Sequence, residues 1–584
     1  MMCFLRQPLL MILVAGISAN VLFAQDTPVP FRSPTASLIE RLQIQGYVQE
    51  GVHSAVRPFG RRDVFYAVLN AVDSGAKLNP FDVRYALADN DEFFRMMYSS
   101  GFVVADTAGV RRPPSYALLG EGPPLSTSAV LGIFYTRPAH LYALDTKDFY
   151  LRISPIVHFE IGQESSRDHV LFINRRGVEL RGGIDERVFF NTNIVETQLR
   201  PGSHIRQFVR DYRALPDAGL FKPFESRFFD SEDAYDYLSS GGYIGFNVTR
   251  HIGMQLGHGK NFIGDGYRSL FLSDFAKNYF YLKFNTRVWK FHYQNVFAEL
   301  SAREKLEGNV VVPKKYLAAH YLSFEIMPTL SLGLFEAVVF ARDENRFELQ
   351  YLNPVILYRS IEHHVGSPDN VLIGLSARWD IAKRIRVYGQ LVLDEFKFSE
   401  FFSSRRWWGN KYGFQFGVKY PCLFNFQRFD LQVEYNRVRP FTYTHYDSLG
   451  SYSHFNQALA HPFGGNFSEL LFKLDYRPVP RLFLNGKLFL IESGRDTDVV
   501  FYGANILRSN VEHNAEFGIR QNQGVAVTNR LVSLTASYML KHNLFLEVCY
   551  FRRNYNAAQP EYDLLTSYFM VGIRWNYFPS QDEF

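Results

Sequence analysis

Two stretches of this chain bring together side chains able to hold a charged, polyhydroxylated ligand. The first runs Gly253-Met254-Gln255-Leu256-Gly257-His258-Gly259-Lys260-Asn261 and continues Phe262-Ile263-Gly264-Asp265-Gly266-Tyr267-Arg268-Ser269-Leu270-Phe271-Leu272-Ser273-Asp274. The second is Asn353-Pro354-Val355-Ile356-Leu357-Tyr358-Arg359-Ser360-Ile361-Glu362-His363-His364. Each mixes Arg, a carboxylate and Tyr with turn-forming Gly or Pro, so hydroxyls can be hydrogen-bonded and a sugar face stacked. The candidate ligand-binding residues are Lys260, Asp265, Arg268, Asp274, Arg359 and Glu362. The same side chains serve equally well in loops folded back on their own protein, because constricting loops need fixed polar networks.

Catalytic patterns are missing from the sequence. There is no G-x-S-x-G, H-E-x-x-H, Walker loop or C-x-x-C. Gly257-His258-Gly259-Lys260 lacks both dinucleotide and P-loop spacing. In Glu362-His363-His364 the adjacent His residues point apart on an extended chain, and no third ligand follows at a metal-binding spacing, so a solvated loop is expected. No carboxylate pair for glycoside hydrolysis can be singled out among 58 acids. The expectation is a protein that is not an enzyme and uses no cofactor or metal. A net charge of +5 over 584 residues is too dilute for a nucleic-acid partner.

The elements that must position these residues begin at an export signal. Arg6 precedes the apolar run Leu9–Gly16, and Phe23-Ala24-Gln25 closes the stretch, which predicts cleavage after Ala24. The apolar core is shorter than the ~20 residues of a spanning helix. Cys422 and Cys549 remain after cleavage and give no disulfide framework. Residues 25–98 read as a helical bundle, with Ser33-Pro34 and Asn79-Pro80 as helix starts and Val64, Phe65, Val68, Ala71 and Val72 as one apolar stripe. Arg61, Arg62 and Asp63 are expected on its polar side. A linker over 99–148, marked by Pro113, Pro114, Pro123 and Pro124, leads into the last unit, 149–584.

In that unit the period is two. Phe429, Leu431, Val433 and Tyr435 alternate with Asp430, Gln432, Glu434 and Asn436, and Tyr412, Phe414, Phe416, Val418 and Tyr420 with Gly413, Gln415, Gly417 and Lys419. About 18 strands follow one another, starting near 149, 170, 185, 242, 251, 278, 289, 316, 329, 370, 384, 410, 428, 467, 480, 529, 542 and 565. Short links near Thr249-Arg250, Pro328, Ile381–Lys383, Arg477–Pro480 and Lys541-His542 alternate with long ones at 198–241, 260–277, 342–369, 440–466 and 493–528. Short turns on one side and long loops on the other, with 16% aromatic residues to furnish two interfacial girdles, predict an all-β transmembrane barrel in the cell outer membrane. Loop 198–241 carries Phe208, Tyr212, Phe221, Phe224, Phe228, Phe229, Tyr235 and Tyr237, suited to glycan stacking or to a protein interface.

The order G-H-G-K-N…G-D-G-Y-R-S-L-F-L-S-D resembles the motif of Wzi-type capsule-assembly outer-membrane proteins. The following N-P-V-I-L-Y-R-S-I-E-H-H resembles relatives tied to gliding motility and surface organisation more closely still. The resemblance extends to the layout of signal peptide, helical bundle and barrel. It implies an 18-stranded barrel plugged from the periplasm by the N-terminal helices, and attachment of capsular polysaccharide at the cell surface rather than export through a pore. Outer-membrane lipid and surface polysaccharide are the expected partners, with outer-membrane or periplasmic proteins as further ones. Two rival expectations stand beside it. One is an accessory component of gliding motility or protein secretion, the other a diffusion channel for solutes.

Overall fold

The computed structural model describes residues 27–48, 52–76, 78–93, 104–105, 111–112 and 139–584, apart from short stretches at 167–168, 186, 227–231, 303–311, 343–344, 356, 367–368, 427 and 579–582. The expected signal peptide, most of the linker, and Phe228 and Phe229 lie outside the described residues.

Eighteen antiparallel strands close into one barrel. They are β1 (Phe149–Glu164), β2 (Val170–Ile184), β3 (Val188–Arg200), β4 (Tyr235–Asn247), β5 (Ile252–Gly259), β6 (Tyr279–Val288), β7 (Phe291–Ser301), β8 (Lys314–Met327) and β9 (Leu330–Phe340). The circuit continues with β10 (Asn370–Ile381), β11 (Ile385–Leu393), β12 (Tyr412–Tyr420), β13 (Phe429–Val438), β14 (Phe467–Tyr476), β15 (Leu482–Arg495), β16 (Val525–Lys541), β17 (Leu544–Ala557) and β18 (Leu564–Trp575). β18 pairs with β1 from Tyr568↔Glu164 to Trp575↔Val157, so neither edge is left open. Two starts differ from the sequence expectation. β4 begins at Tyr235 rather than near 242, because Ser239-Ser240-Gly241-Gly242 interrupt its alternation, and β16 at Val525 rather than near 529, because Val525-Ala526-Val527 are apolar in a row and show no alternation.

Alternation sorts the side chains as a bilayer requires. Phe416, Leu334, Trp379, Ile161 and Phe569 face outward and are about half exposed, while Gln415, Glu434, Asn436 and Lys419 on the opposite faces are buried in the lumen. Phe291 stacks on Phe324 with ring centres 4.8 Å apart beside the exposed Trp289, an aromatic cluster at the short-turn end. Among the described residues no helix is long and apolar enough to cross a membrane. An apolar outer wall, a polar interior and a fully closed hydrogen-bond ladder define an outer-membrane barrel.

The links alternate as expected. Turns at 289–290, 328–329, 382–384 and 542–543 lie at one end, and loops at 201–234, 260–278, 341–369, 439–466 and 496–524 at the other. β7 ends and β8 begins at the long-loop end too, and loop 394–411 also lies there; neither link is among the expected ones.

The N-terminal segment holds three helices, α1 (Pro34–Ile44), α2 (Arg61–Asp73) and α3 (Pro80–Asp89). Ser33 Oγ caps α1 by accepting from the Ala36 N–H at 3.2 Å, and Asn79 Oδ1 caps α3 by accepting from Phe81 N–H at 3.0 Å. Their apolar stripes meet in one core of Leu38, Ile39, Leu42, Val64, Phe65 and Val68. Arg61 departs from expectation. It is enclosed rather than solvated, donating to Asp89 at 2.9 Å.

Candidate functional site

Loop 260–278 leaves β5 and turns into the lumen, where every residue from Asn261 to Lys277 is buried. Its anchor is Glu434 on the inner face of β13. That carboxylate accepts the backbone N–H groups of Tyr267 (2.7 Å) and Arg268 (3.0 Å) and the hydroxyl of Tyr388 (2.7 Å). Gly266 is needed for this approach, since a Cβ there would sit 2.7 Å from Glu434 Oε2 and 2.5 Å from the Arg268 carbonyl. Gln390 on β11 accepts from Leu270 N–H at 2.8 Å, and Phe271 stacks on Phe335 at 4.7 Å.

Four of the six candidate ligand residues lie on this loop. Lys260 pairs with Asp217 at 2.7 Å and Asp274 with Arg32 at 2.8 Å. Asp265 accepts from Ser54 and lies 3.6 Å from Arg386. Arg268 is fully enclosed, 3.4 Å from Glu469, and packs over Phe489 with its guanidinium carbon 5.0 Å from the ring centre. Glu469 also accepts from Asn436 at 2.9 Å and pairs with His461 at 2.9 Å. This arrangement is that of a brace. Outside the strands, Asp217 feels burial pushing its carboxyl up, but Lys260 and Lys277 outweigh it and hold the group down at about 2.

The brace is met from both ends. Residues 52–60 enter from the short-turn mouth and form a two-residue antiparallel bridge with the loop, Val56↔Ile263 and Arg57↔Phe262, continued where Gly264 N–H donates to the Ala55 carbonyl at 2.7 Å. Loop 439–466 covers it from the other side. Tyr443 and Tyr452 donate to the carbonyls of Leu270 (2.7 Å) and Phe271 (2.8 Å), and Ser273 N–H donates to the Leu459 carbonyl at 2.7 Å. Phe208 and Tyr237, expected as loop aromatics for a ligand, are buried, and Phe208 packs against Phe275 and the interior Phe584.

The remaining two candidates are elsewhere. Loop 341–369 folds over the outside of the wall, with a short helix at Tyr358–His364 seated on outward-facing residues of β8 and β9. Glu336, adjacent to the inward Phe335, accepts the N–H groups of Tyr358 and Arg359 at 2.9 Å each and pairs with His320 at 2.8 Å. Tyr358 stacks on His320 at 4.3 Å. Arg359 pairs with Glu362 at 2.7 Å; the arginine is 64% exposed and the glutamate 3%. The Glu362-His363-His364 stretch is thus helical, not an extended solvated loop.

Sequence reasoning missed a ledge on the outer surface. Trp407 and Trp408 both donate their indole N–H to Glu516, at 2.7 and 3.0 Å, and His513 stacks on Trp408 at 4.2 Å. Trp407 donates the largest share of the stabilisation that lowers the Glu516 proton affinity. The signal was present as an adjacent pair among only five Trp in the chain.

Two groups of His and carboxylate side chains are close enough to share an ion among the described residues, Asp91 with Glu92 and His140, and His158 with Glu160 and Glu547. Arginines already occupy both. Arg152 donates to Asp91 at 2.8 Å and Arg181 to Glu92 at 3.1 Å; Arg574 donates to Glu547 at 2.7 Å and Arg175 meets His158 at 3.0 Å. In both groups an arginine guanidinium therefore already pairs with a carboxylate that an ion would have to share.

No family model matches the sequence, and no curated protein matches it. Among solved structures, the fold is similar to that of Wzi from Escherichia coli, described as a carbohydrate-binding β-barrel and an outer-membrane protein involved in group 1 capsule assembly. That likeness has a TM-score of 0.53 at 12% identity and covers 94% of this chain and 99% of Wzi. OprD from Pseudomonas aeruginosa matches at TM-score 0.39 and 12% identity over 73% of this chain and 94% of its own. OccAB2 from Acinetobacter baumannii matches at 0.40 and 10% over 73% and 97%.

Proposed function

We propose that this barrel is a non-enzymatic protein that holds or organises polysaccharide at the cell surface while its lumen stays shut. The pairing of Val56 with Ile263 carries this reading, because a segment from one mouth and a loop from the other interlock inside the barrel. Such a lumen suits a binding scaffold better than a diffusion channel.

The helices act as the periplasmic plug. Arg41 pairs with Asp430 at 2.7 Å, Glu40 with Lys419 at 2.8 Å and Asp63 with Arg287 at 2.7 Å, and all three barrel partners stand at short-turn ends of strands. The likeness to a carbohydrate-binding capsule-assembly barrel supports a glycan as ligand. Of the six candidate residues, Arg359 presents the most surface, and the Trp407–Glu516 ledge adds stacking faces beside a carboxylate that can accept sugar hydroxyls. Lys260, Asp265, Arg268 and Asp274 contribute by fixing the loops. An accessory role in gliding motility or secretion would use the same outer surface, and rests on the Asn353–His364 sequence alone.

The test has two arms. Full-length protein in planar bilayers should show little or no conductance; porin-like openings would restore the channel. Purified barrel should retain surface polysaccharide from the producing cells, and Trp407→Ala should weaken that retention while leaving barrel abundance unchanged. Retention unaffected by Trp407→Ala and Arg359→Ala together would remove the glycan reading.

A further inference from the structure

At the long-loop ends of β12 and β13, Arg437 and Arg439 share the outer face, and Arg406 immediately precedes Trp407, whose carbonyl Arg439 reaches. Glu434 and Asn436 of β13 face the lumen, so Arg437 faces the bilayer, and Arg439 continues on the same side one residue beyond the strand. Arg439 stands opposite Tyr412. Its N–H donates to the Tyr412 carbonyl at 3.0 Å, its guanidinium carbon lies 5.4 Å from the Tyr412 ring centre, and Nη2 donates to the Trp407 carbonyl at 3.5 Å. Burial lowers the proton affinity of Arg439, Tyr412 partly restores it, and the charges of Arg437 and Arg406 lower it again.

Among the described residues, no carboxylate pairs with Arg406, Arg437 or Arg439. The acids of the adjoining loop are engaged elsewhere, Glu400 with Arg405 and Glu395 with Lys411. Like charges gathered at a lipid-facing rim repel one another, and a multivalent anion relieves that repulsion. Guanidinium groups match phosphate oxygens better than any other side chain.

An apolar shelf lies beside them. Phe396, Phe398, Phe401 and Phe402 pack edge to face or tilted at 5.0 to 5.1 Å, and Phe401 sits on Tyr412 at 5.8 Å. Phe398 and Phe402 are 71% and 80% exposed. Tyr412 belongs to the same outward column as Phe414 and Phe416, so the shelf extends the lipid-facing wall rather than the extracellular top.

We infer that this rim binds a phosphorylated, multi-acyl glycolipid of the outer leaflet, with Arg406, Arg437 and Arg439 on its phosphates and the phenylalanine shelf along its acyl chains. The site adjoins the Trp407–Glu516 ledge through the Trp407 carbonyl, but takes its ligand from the bilayer side of the wall.

The probe is bis-phosphorylated lipid A, compared with its dephosphorylated form, each in phosphatidylcholine nanodiscs holding the full-length protein. Native mass spectrometry after transfer to detergent counts the retained lipid. The phosphorylated form should be retained about tenfold better, the effect of losing charge-assisted hydrogen bonds to a phosphate. Arg437→Gln with Arg439→Gln should bring retention down to the dephosphorylated level, and Arg250→Gln in a short turn should not. Fast migration of the unboiled protein on gels reports folding. If the double variant does not fold, the single Arg406→Gln in an exposed loop should still lower retention. Equal retention of the two lipid forms, or full retention by the variants, overturns the inference. So does displacement of lipid A by a soluble acidic polysaccharide, which would make the rim a glycan site.

Discussion

Loops 260–278 and 341–369 begin with similar chemistry and end on opposite sides of one wall. Both leave a strand at the long-loop end, and both carry Tyr-Arg followed by a carboxylate. In each, one strand glutamate accepts two consecutive backbone N–H groups, those of Tyr267 and Arg268 at Glu434 and those of Tyr358 and Arg359 at Glu336. Glu434 lies on an inward register position and Glu336 on an outward one, and that parity decides where each loop goes. The remaining composition follows. The inner loop has Gly264 and Gly266 for close approach to the lumen wall, whereas the outer one leaves Leu349, Val355 and Leu357 exposed. A polar anchor on a barrel strand therefore recruits its loop to whichever face it points toward.

The largest expected effect separates the two anchors. Glu434→Ala strands two enclosed N–H donors and the Tyr388 hydroxyl, at about 1–3 kcal/mol for each lost partner. The unfolding temperature, read as loss of the fast-migrating unboiled band, should fall by many degrees. Glu336→Ala should cost less globally, because its loop can lift from the outer wall without disturbing the lumen. Its effect should appear as new protease cleavage within 341–369. Equal losses of unfolding temperature in both variants would break the distinction.

Acid should loosen the lumen side next. Burial pushes the Glu40 carboxyl up, but Arg57 and Lys419 overcome that and bring it to about 2, as Lys260 and Lys277 do for Asp217. Both titrate lower in the folded chain than the ordinary range near ~4, so their stabilisation is complete above that pH and is lost as pH falls toward about 2. Conductance in planar bilayers should stay silent at neutral pH and rise as the solution is acidified through that window. Glu40→Gln with Asp217→Asn should remove most of the acid dependence. The smallest effect is that of Arg359→Ala. Its partner Glu362 is buried but the arginine is mostly in solvent, so unfolding should change by only about 0.2–1 kcal/mol.

Strand count, loop sorting and helix starts were legible because each depends on local periodicity or on one capping residue. Sixteen of the eighteen strands start near their expected positions, with β4 and β16 beginning earlier, and Ser33 and Asn79 cap as their sequence context predicts. Loop destinations were not legible. Whether Arg268 meets a ligand or Glu469 depends on the register of β13 and β14, some 200 residues downstream. Arg61 looked like a solvated charge because its partner Asp89 is on another helix. The Trp407–Glu516 ledge was hidden for the same reason, since its two halves come from different loops. Chemistry local to a few residues can be read from a sequence, but pairing across the barrel follows only from closure.

The most direct test of the closed lumen is a cross-link between Val56 and Ile263. The two are a non-hydrogen-bonded antiparallel pair, whose Cα atoms stand about 4.5 Å apart, within disulfide range. With Cys422 and Cys549 replaced by Ser, Val56→Cys and Ile263→Cys should form an intramolecular disulfide in the outer membrane without added catalyst, identified by mass spectrometry of the linked peptides. Free thiols at both positions that react freely with a water-soluble maleimide in the folded barrel would mean the N-terminal segment and the inner loop do not meet.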